Sequence, residues 1–231
     1  MAEEIIGLCS MATKQVLADL CQALSRDHGI SVRFTAAGGV ETARGVREGA
    51  AADVVVLAES AMSDLEAEGF LVAGSVRPTF VSEVVAAIPA SAEPVALGGE
   101  EELRAALERA ERIAFSTGPS GTALVQLLER WGLLSALEGR LVQAEPGVPV
   151  GRLLAGGQAD LGFQQRSELQ GVAGVRVLGT LPGSAAIRSI FSSGIAGSSA
   201  QPDRAAEAID HLVDEALDDI VRVNGMARAV S

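Results

Sequence analysis

One unit recurs four times along this chain: a short apolar strand pattern, a turn of small and polar residues, and an amphipathic helix pattern. Residues 5–8 open the first copy, followed by Cys9-Ser10-Met11-Ala12-Thr13-Lys14 and a helix marked by Val16, Leu17, Leu20 and Leu24 that stops near His28-Gly29. Residues 31–36 open the second, with Ala37-Gly38-Gly39-Val40 leading to a helix carrying Ala43, Val46 and Arg47. In the third, Val54-Val55-Val56-Leu57 is a continuous apolar run of the buried-strand type. Ala58-Glu59-Ser60 follows it, and a helix runs through Met62 and Leu65 to Gly69. The fourth joins Arg112-Ile113-Ala114-Phe115 through Ser116-Thr117-Gly118-Pro119-Ser120-Gly121 to a helix with Ala123, Leu124, Leu127, Leu128 and Trp131. Strands alternating with helices imply right-handed crossovers and parallel sheets covered on both faces, which is the α/β class.

That architecture also says where chemistry belongs. In open α/β sheets ligands gather outside the carboxyl ends of the strands, where these turns lie. A helix starting at such a turn leaves its first N–H groups unpaired beside the positive end of its macrodipole, and these suit an anion. In the turn at 116–121 two glycines allow close approach to the backbone, and two serines and a threonine add hydroxyl donors. No lysine follows the second glycine, so it is not a nucleotide P-loop. Read alone, the stretch is better taken as an N-capped helix after a tight turn; its repetition elsewhere favours a site. Lys14, the one lysine against 17 arginines, falls in the first turn of its helix, where a cation opposes the macrodipole unless it meets an anion.

The rest of the chain fits two lobes. Residues 79–89 form a long β-rich run with no helix after it, read as a strand crossing between lobes. A Pro-, Gly- and Ala-rich loop over 90–99 and a charged helix over 100–109 lead to the fourth unit. Leu141-Val142-Gln143, a loop through Val148, a helix to Ala155 and a strand over 160–165 follow. Residues 175–178 and 187–193 supply two more strands, the second returning to the first lobe, and 203–223 reads as one terminal helix. The expected lobes are 1–82 with 190–231, and 83–189.

Composition removes whole classes of function. A net charge of −12 with no basic run argues against nucleic acid, which needs Lys/Arg clusters to displace counterions. No tyrosine and one tryptophan leave little for stacking bases or sugars. No apolar segment is long enough to insert in a membrane. The start Met1-Ala2-Glu3-Glu4 is acidic where a secretory signal is basic, so the chain as written is expected in the cytoplasm, or in the periplasm had a leader been removed. Cys9 and Cys21 read as free thiols, and His28 and His211 lie in no ligand-spaced cluster. No metal or cofactor is implied, and the chain is expected to be a monomer or dimer.

Ser10 after the first strand, Ala37-Gly38-Gly39 after the second, Asp53 to Ala58, the crossing strand and Gly156-Gln158-Ala159-Asp160-Leu161-Gly162 together resemble the molybdate-binding-protein-like group of type II periplasmic solute-binding proteins. The resemblance implies two Rossmann-like α/β lobes joined by two crossing strands, with an oxyanion or carboxylate in the cleft. Molybdate binders carry a serine in the second turn and a tyrosine after the strand matching 161–163. This chain has Gly38-Gly39 and Gln164-Gln165 there. Its own motifs, Ser10 to Thr13, Ser116 to Gly121, Gly147-Val148-Pro149-Val150-Gly151 and Gly162-Phe163-Gln164-Gln165, resemble a leaderless subgroup similar to aconitate isomerase, which moves a double bond in an unsaturated tricarboxylate.

A 1,3 proton shift on such a substrate needs pinned carboxylates, preorganised N–H donors for an enolate-like charge, and one group to carry the proton. The candidate pins are Ser10, Met11, Thr13, Lys14, Gly38, Gly39, Ser82, Ser116, Thr117, Gly118, Ser120, Gly121, Val148, Gln164 and Gln165. Candidate proton carriers are Glu59 and Cys9, with Glu83 behind them. The competing expectation is the solute-binding protein of an ABC transporter for a small carboxylate or oxyanion, which needs the pins and no base. A ligand-sensing domain of a regulator is a third, without a DNA-binding segment to support it.

Overall fold

The computed structural model of the chain describes residues 4–229, so Met1-Ala2-Glu3 of the acidic start lies outside the described residues. The chain divides into two units, one made of Met1–Ser82 with Ile190–Ser231 and the other of Glu83–Ser189.

In the first unit, β1 (Ile5–Ser10) passes through a 3-10 turn, Met11–Thr13, into α1 (Lys14–His28). Val16, Leu17, Leu20, Ala23 and Leu24 form its buried stripe, and each fully buried leucine contributes on the order of 1.5–3 kcal/mol. The helix stops at Gly29, whose φ of +68° suits glycine because no Cβ is present to clash. There follow β2 (Val32–Ala37), α2 (Gly39–Arg47), β3 (Val54–Ala58) and α3 (Glu59–Ala67), and then β4 (Arg77–Pro89), in which the chain leaves the unit. β1 lies parallel to both β2 and β3, as crossover connections through α1 and α2 require. Asp53 sits just before β3 and accepts hydrogen bonds from the Ile6 N–H at 2.9 Å, Ser199 Oγ at 2.6 Å and Gln201 Nε2 at 3.1 Å. Burial pushes its pKa up, yet these donors outweigh that and hold it below the usual carboxylate range.

The second unit continues with α4 (Glu100–Arg109), β5 (Ile113–Phe115), α5 (Pro119–Arg130), the short α6 (Leu134–Leu137) and β6 (Leu141–Gln143). α7 (Val150–Ala155), β7 (Leu161–Gln165), α8 (Arg166–Leu169) and β8 (Val175–Thr180) complete it. β5 is parallel to β6 and β7, whereas β4 is antiparallel to β7 and β8. Two apolar layers enclose this sheet: Leu103, Leu107, Leu124, Leu127 and Leu128 belong to one, Val150, Leu154 and Leu169 to the other.

The chain returns through β9 (Arg188–Ile195), which pairs antiparallel with β3. The continuous helix expected over 203–223 is instead α9 (Pro202–Leu212), a 3-10 turn at Glu215–Leu217 and α10 (Asp218–Val223). Asp214 breaks it. Its backbone is extended at ψ 126° and its carboxylate accepts from the Ala216 N–H at 2.9 Å, a cap that competes with helix continuation. β10 (Met226–Arg228), which the sequence pattern does not reveal, pairs antiparallel with Phe80 to Ser82 of β4.

Candidate functional site

In the first unit the candidate residues cluster at the carboxyl ends of β1, β2 and β3. Ser10 ends β1 and is 6% exposed, and its Oγ lies 3.4 Å from Thr13 Oγ1. Thr13 is fully buried and its hydroxyl donates to the Ser10 carbonyl at 3.2 Å. The Thr13 hydroxyl is therefore committed within the turn and stiffens it. Met11 is half-buried, and Lys14 is exposed as the first residue of α1, one 3-10 turn beyond Ser10. Gly38 caps α2 and Gly39 begins it, both at ordinary backbone angles or without positive φ, and a Cβ on either would meet nothing within 4 Å. Neither glycine is demanded by strain or packing. What they do is leave open space over the first amides of α2, which have no partner inside the helix.

The proton-carrier candidates fare differently. Cys9 lies wholly in the core with Val16, Leu17 and Val56. Burial pushes its thiol up to about 11, against a lowering hydrogen bond from Thr13 and the charge of Lys14. A thiol so placed stays protonated at neutral pH, which does not favour Cys9 as the proton carrier. Cys21 is likewise a free thiol, pushed up to about 12 by burial and by Cys9. Glu59 is exposed at the first position of α3, where a carboxylate suits the helix macrodipole. Ser82 is 1% exposed, and its Oγ has no hydrogen-bond partner.

In the second unit, Ser116, Thr117 and Gly118 form the loop from β5 to α5, which begins at Pro119 rather than Ser120 because proline suits the first helical position. Ser116 Oγ and the buried Ser120 Oγ are 2.9 Å apart. Gly121 is obligatory: a Cβ there would fall 1.8 Å from the Ser116 carbonyl oxygen. Thr117 is exposed, and Val148 lies in a turn closed by its N–H on the Glu145 carbonyl. Glu83 is paired with Arg188 at 3.0 Å on the surface, so it is no free base.

β7 ends in the two glutamines. Gln165 is 3% exposed and donates to Ser189 Oγ at 2.6 Å, leaving its Oε1 buried without a partner. Gln164, equally buried, accepts from the Val150 N–H at 2.8 Å and donates through Nε2 to Glu168 Oε1 at 2.8 Å. Glu168 is the residue the sequence reading missed. Burial pushes its carboxyl up to about 7, the hydrogen bond from Gln164 lowering it in part. Its signal was present as a Gln and a Glu four positions apart across a strand–helix junction, but solvated glutamates are so common that the spacing alone says little.

Among the described residues no group of three or more His, Cys, Asp or Glu is placed to hold a metal ion, and no helix is long and apolar enough to cross a membrane.

Comparison with known proteins adds four findings. The profile described as bacterial extracellular solute-binding protein matches residues 6–227. An aconitate isomerase from a Pseudomonas species is 30% identical over 167 residues, which are 71% of this chain and 63% of that enzyme's length. The periplasmic molybdate-binding protein of Azotobacter vinelandii superposes with a TM-score of 0.83 at 21% identity, covering 99% of this chain and 100% of that one. The sulfate-binding protein of Mycobacterium tuberculosis does so with a TM-score of 0.75 at 15% identity, covering 97% of this chain and 86% of that one. At such identities the likeness speaks for the fold, which is the α/β fold of type II periplasmic binding proteins.

Proposed function

The chain belongs to the bacterial extracellular solute-binding protein family, and from that membership we propose that it binds a small di- or tricarboxylate and shifts its C=C bond by 1,3 proton transfer. The observation that carries the reading from binding to isomerisation is the 30% identity with an aconitate isomerase over 71% of this chain.

The chemistry needed is present in kind. Open amides at Gly38 and Gly39, the Ser10 hydroxyl and the exposed Lys14 are donors for a carboxylate in the first unit. Ser116 and Ser120 are donors in the second. A bond shift within one substrate consumes no oxidant and needs no cofactor; donors that stabilise the enolate-like charge lower the barrier.

The test is direct. Purified protein is incubated with cis-aconitate and with trans-aconitate, and the interconversion is followed by proton NMR. The reading predicts turnover to one equilibrium mixture from both sides, and its failure is no turnover from either.

The family description favours a second reading, a binding protein of an ABC transporter for a small carboxylate or oxyanion. It predicts a calorimetric or thermal-shift response without turnover, since a ligand at ~100 times its dissociation constant stabilises a fold by about 2.7 kcal/mol. The description also sets an extracellular placement against the cytoplasmic one expected for the isomerase, and fractionation of the native cells separates them.

A further inference from the structure

We propose that Glu168 carries the proton in the 1,3 shift and that the Gln164 side chain holds it for that task, an inference that rests on the isomerase reading above. Glu168 is half-buried, and a carboxylate withdrawn from water normally keeps a cationic partner, because desolvating a lone charge is expensive. Glu168 has none among the described residues. The charged groups on the elements around α8 are Arg166 on α8 itself, Arg152 on α7 and Arg176 on β8, and none forms an ion pair with it. Arg176 donates instead to the carbonyls of Ala90 and Ala92.

Its polar contact is with Gln164, and the orientation of that amide is fixed. Gln164 Oε1 is engaged by the Val150 N–H at 2.8 Å, so the NH2 group must face Glu168. Capping Val150 needs only the glutamine; the carboxyl adds nothing to that cap. The same β7–α8 segment holds two further buried polar atoms without partners, Gln165 Oε1 and Ser167 Oγ. A strand end this rich in uncompensated polar groups is costly as pure scaffold, at ~1–3 kcal/mol for each unsatisfied group, and is better explained by chemistry. With its acidity brought to about 7 by burial, Glu168 stands near balance between its two forms at neutral pH, as a proton carrier should be.

The step balances within substrate and enzyme. A Glu168 carboxylate oxygen takes a proton from the carbon allylic to the C=C bond. The electron pair of that C–H bond becomes the new C=C bond, and the pair of the old one accepts the proton back from Glu168 at its far carbon. Nothing is oxidised or reduced, and Glu168 ends as a carboxylate.

The experiment compares the wild type with Glu168→Gln and Glu168→Asp, using cis- and trans-aconitate as probes, NMR for turnover and calorimetry for binding. Expected are wild-type kcat/KM rising with pH through about 7 and a loss of kcat in Glu168→Gln of roughly a hundredfold to ten-thousandfold. Binding by Glu168→Gln should stay within about threefold, and Glu168→Asp should keep measurable turnover because it retains the carboxylate. Turnover by Glu168→Gln within about fivefold of wild type overturns the assignment and leaves the isomerase reading standing. A wild type that turns over neither probe overturns the isomerase reading and this inference with it. If Glu168→Gln fails to fold, Glu168→Asp decides: a kcat/KM profile whose rise through neutral pH is unchanged in position and height overturns the role.

Discussion

Replacing Glu168 by glutamine should change how the stability of the protein depends on pH, whatever the protein does with its ligand. In the unfolded chain the carboxyl titrates near 4.5, and in the folded one at about 7. The folded state therefore binds the proton more tightly, and between these values it holds more protons than the unfolded state. Stability accordingly falls as pH rises through this window. The contribution is fully present below the unfolded value and is lost as pH passes the folded one. At about 1.36 kcal/mol per pKa unit the whole effect is about 3 kcal/mol, of which roughly 2–3 kcal/mol is lost between pH 5 and pH 8. Glutamine has the same shape, keeps a partner for Gln164 and does not titrate. Urea unfolding of both proteins at the two pH values isolates the term, because the change in wild type minus the change in Glu168→Gln cancels every other ionisation. Asp53 does not interfere, since its folded pKa is depressed and its contribution is lost only in stronger acid. Parallel responses of the two proteins, within about 0.5 kcal/mol, would refute the claim that its surroundings raise the pKa of the Glu168 carboxyl.

Three other perturbations have definite outcomes. Lys14→Met should weaken carboxylate binding by roughly tenfold to a hundredfold, the magnitude of one charge-assisted hydrogen bond, with little effect on melting temperature; unchanged affinity by calorimetry leaves Lys14 an ordinary surface residue. Gly121→Ala should destabilise the fold by roughly 1–3 kcal/mol or more and disrupt the Ser116–Ser120 pair, because its Cβ would fall 1.8 Å from the Ser116 carbonyl oxygen; a melt identical to wild type counts against the observed turn. Molybdate should bind poorly or not at all, since Gln164 is committed to Val150 and Glu168 and the α2 turn offers Gly38-Gly39 without a hydroxyl; a micromolar dissociation constant for molybdate would show otherwise.

The sequence makes the strand–turn–helix units legible because each carries its own period and its own breaker. Val54 to Leu57 is apolar without interruption and is buried throughout, and Gly29 stops α1 about one turn beyond Leu24, the last residue of its buried stripe. The break at Asp214 was hidden because Ala206, Ile209, Leu212, Ala216 and Ile220 keep helical spacing across it. A periodic apolar face survives a break when the two pieces pack on the same core, and only the local competition from one aspartate reveals it. The burial of Cys9 was hidden for a related reason: the end of a strand is both where sites form and where the core closes, and part of that core comes from α9, remote in sequence. Glu168 was invisible because its acidity comes from surroundings assembled by α7 and β7, and a residue type carries no record of its desolvation.

The pairing of β3 with β9 has a consequence for how the protein is made. Val54 to Ala58 meets Phe191 to Ile195, so a chain emerging from the ribosome presents one flank of β3, an uninterrupted line of valine and leucine, roughly 130 residues before its partner exists. At ~5–20 residues per second that interval is on the order of 10 s. Meanwhile Glu83–Ser189 is contiguous and is free to fold as soon as it is complete. The nascent protein must thus carry a sticky strand edge through the synthesis of its entire second unit. β3 is where a slowed ribosome or a missing chaperone would first be felt as aggregation.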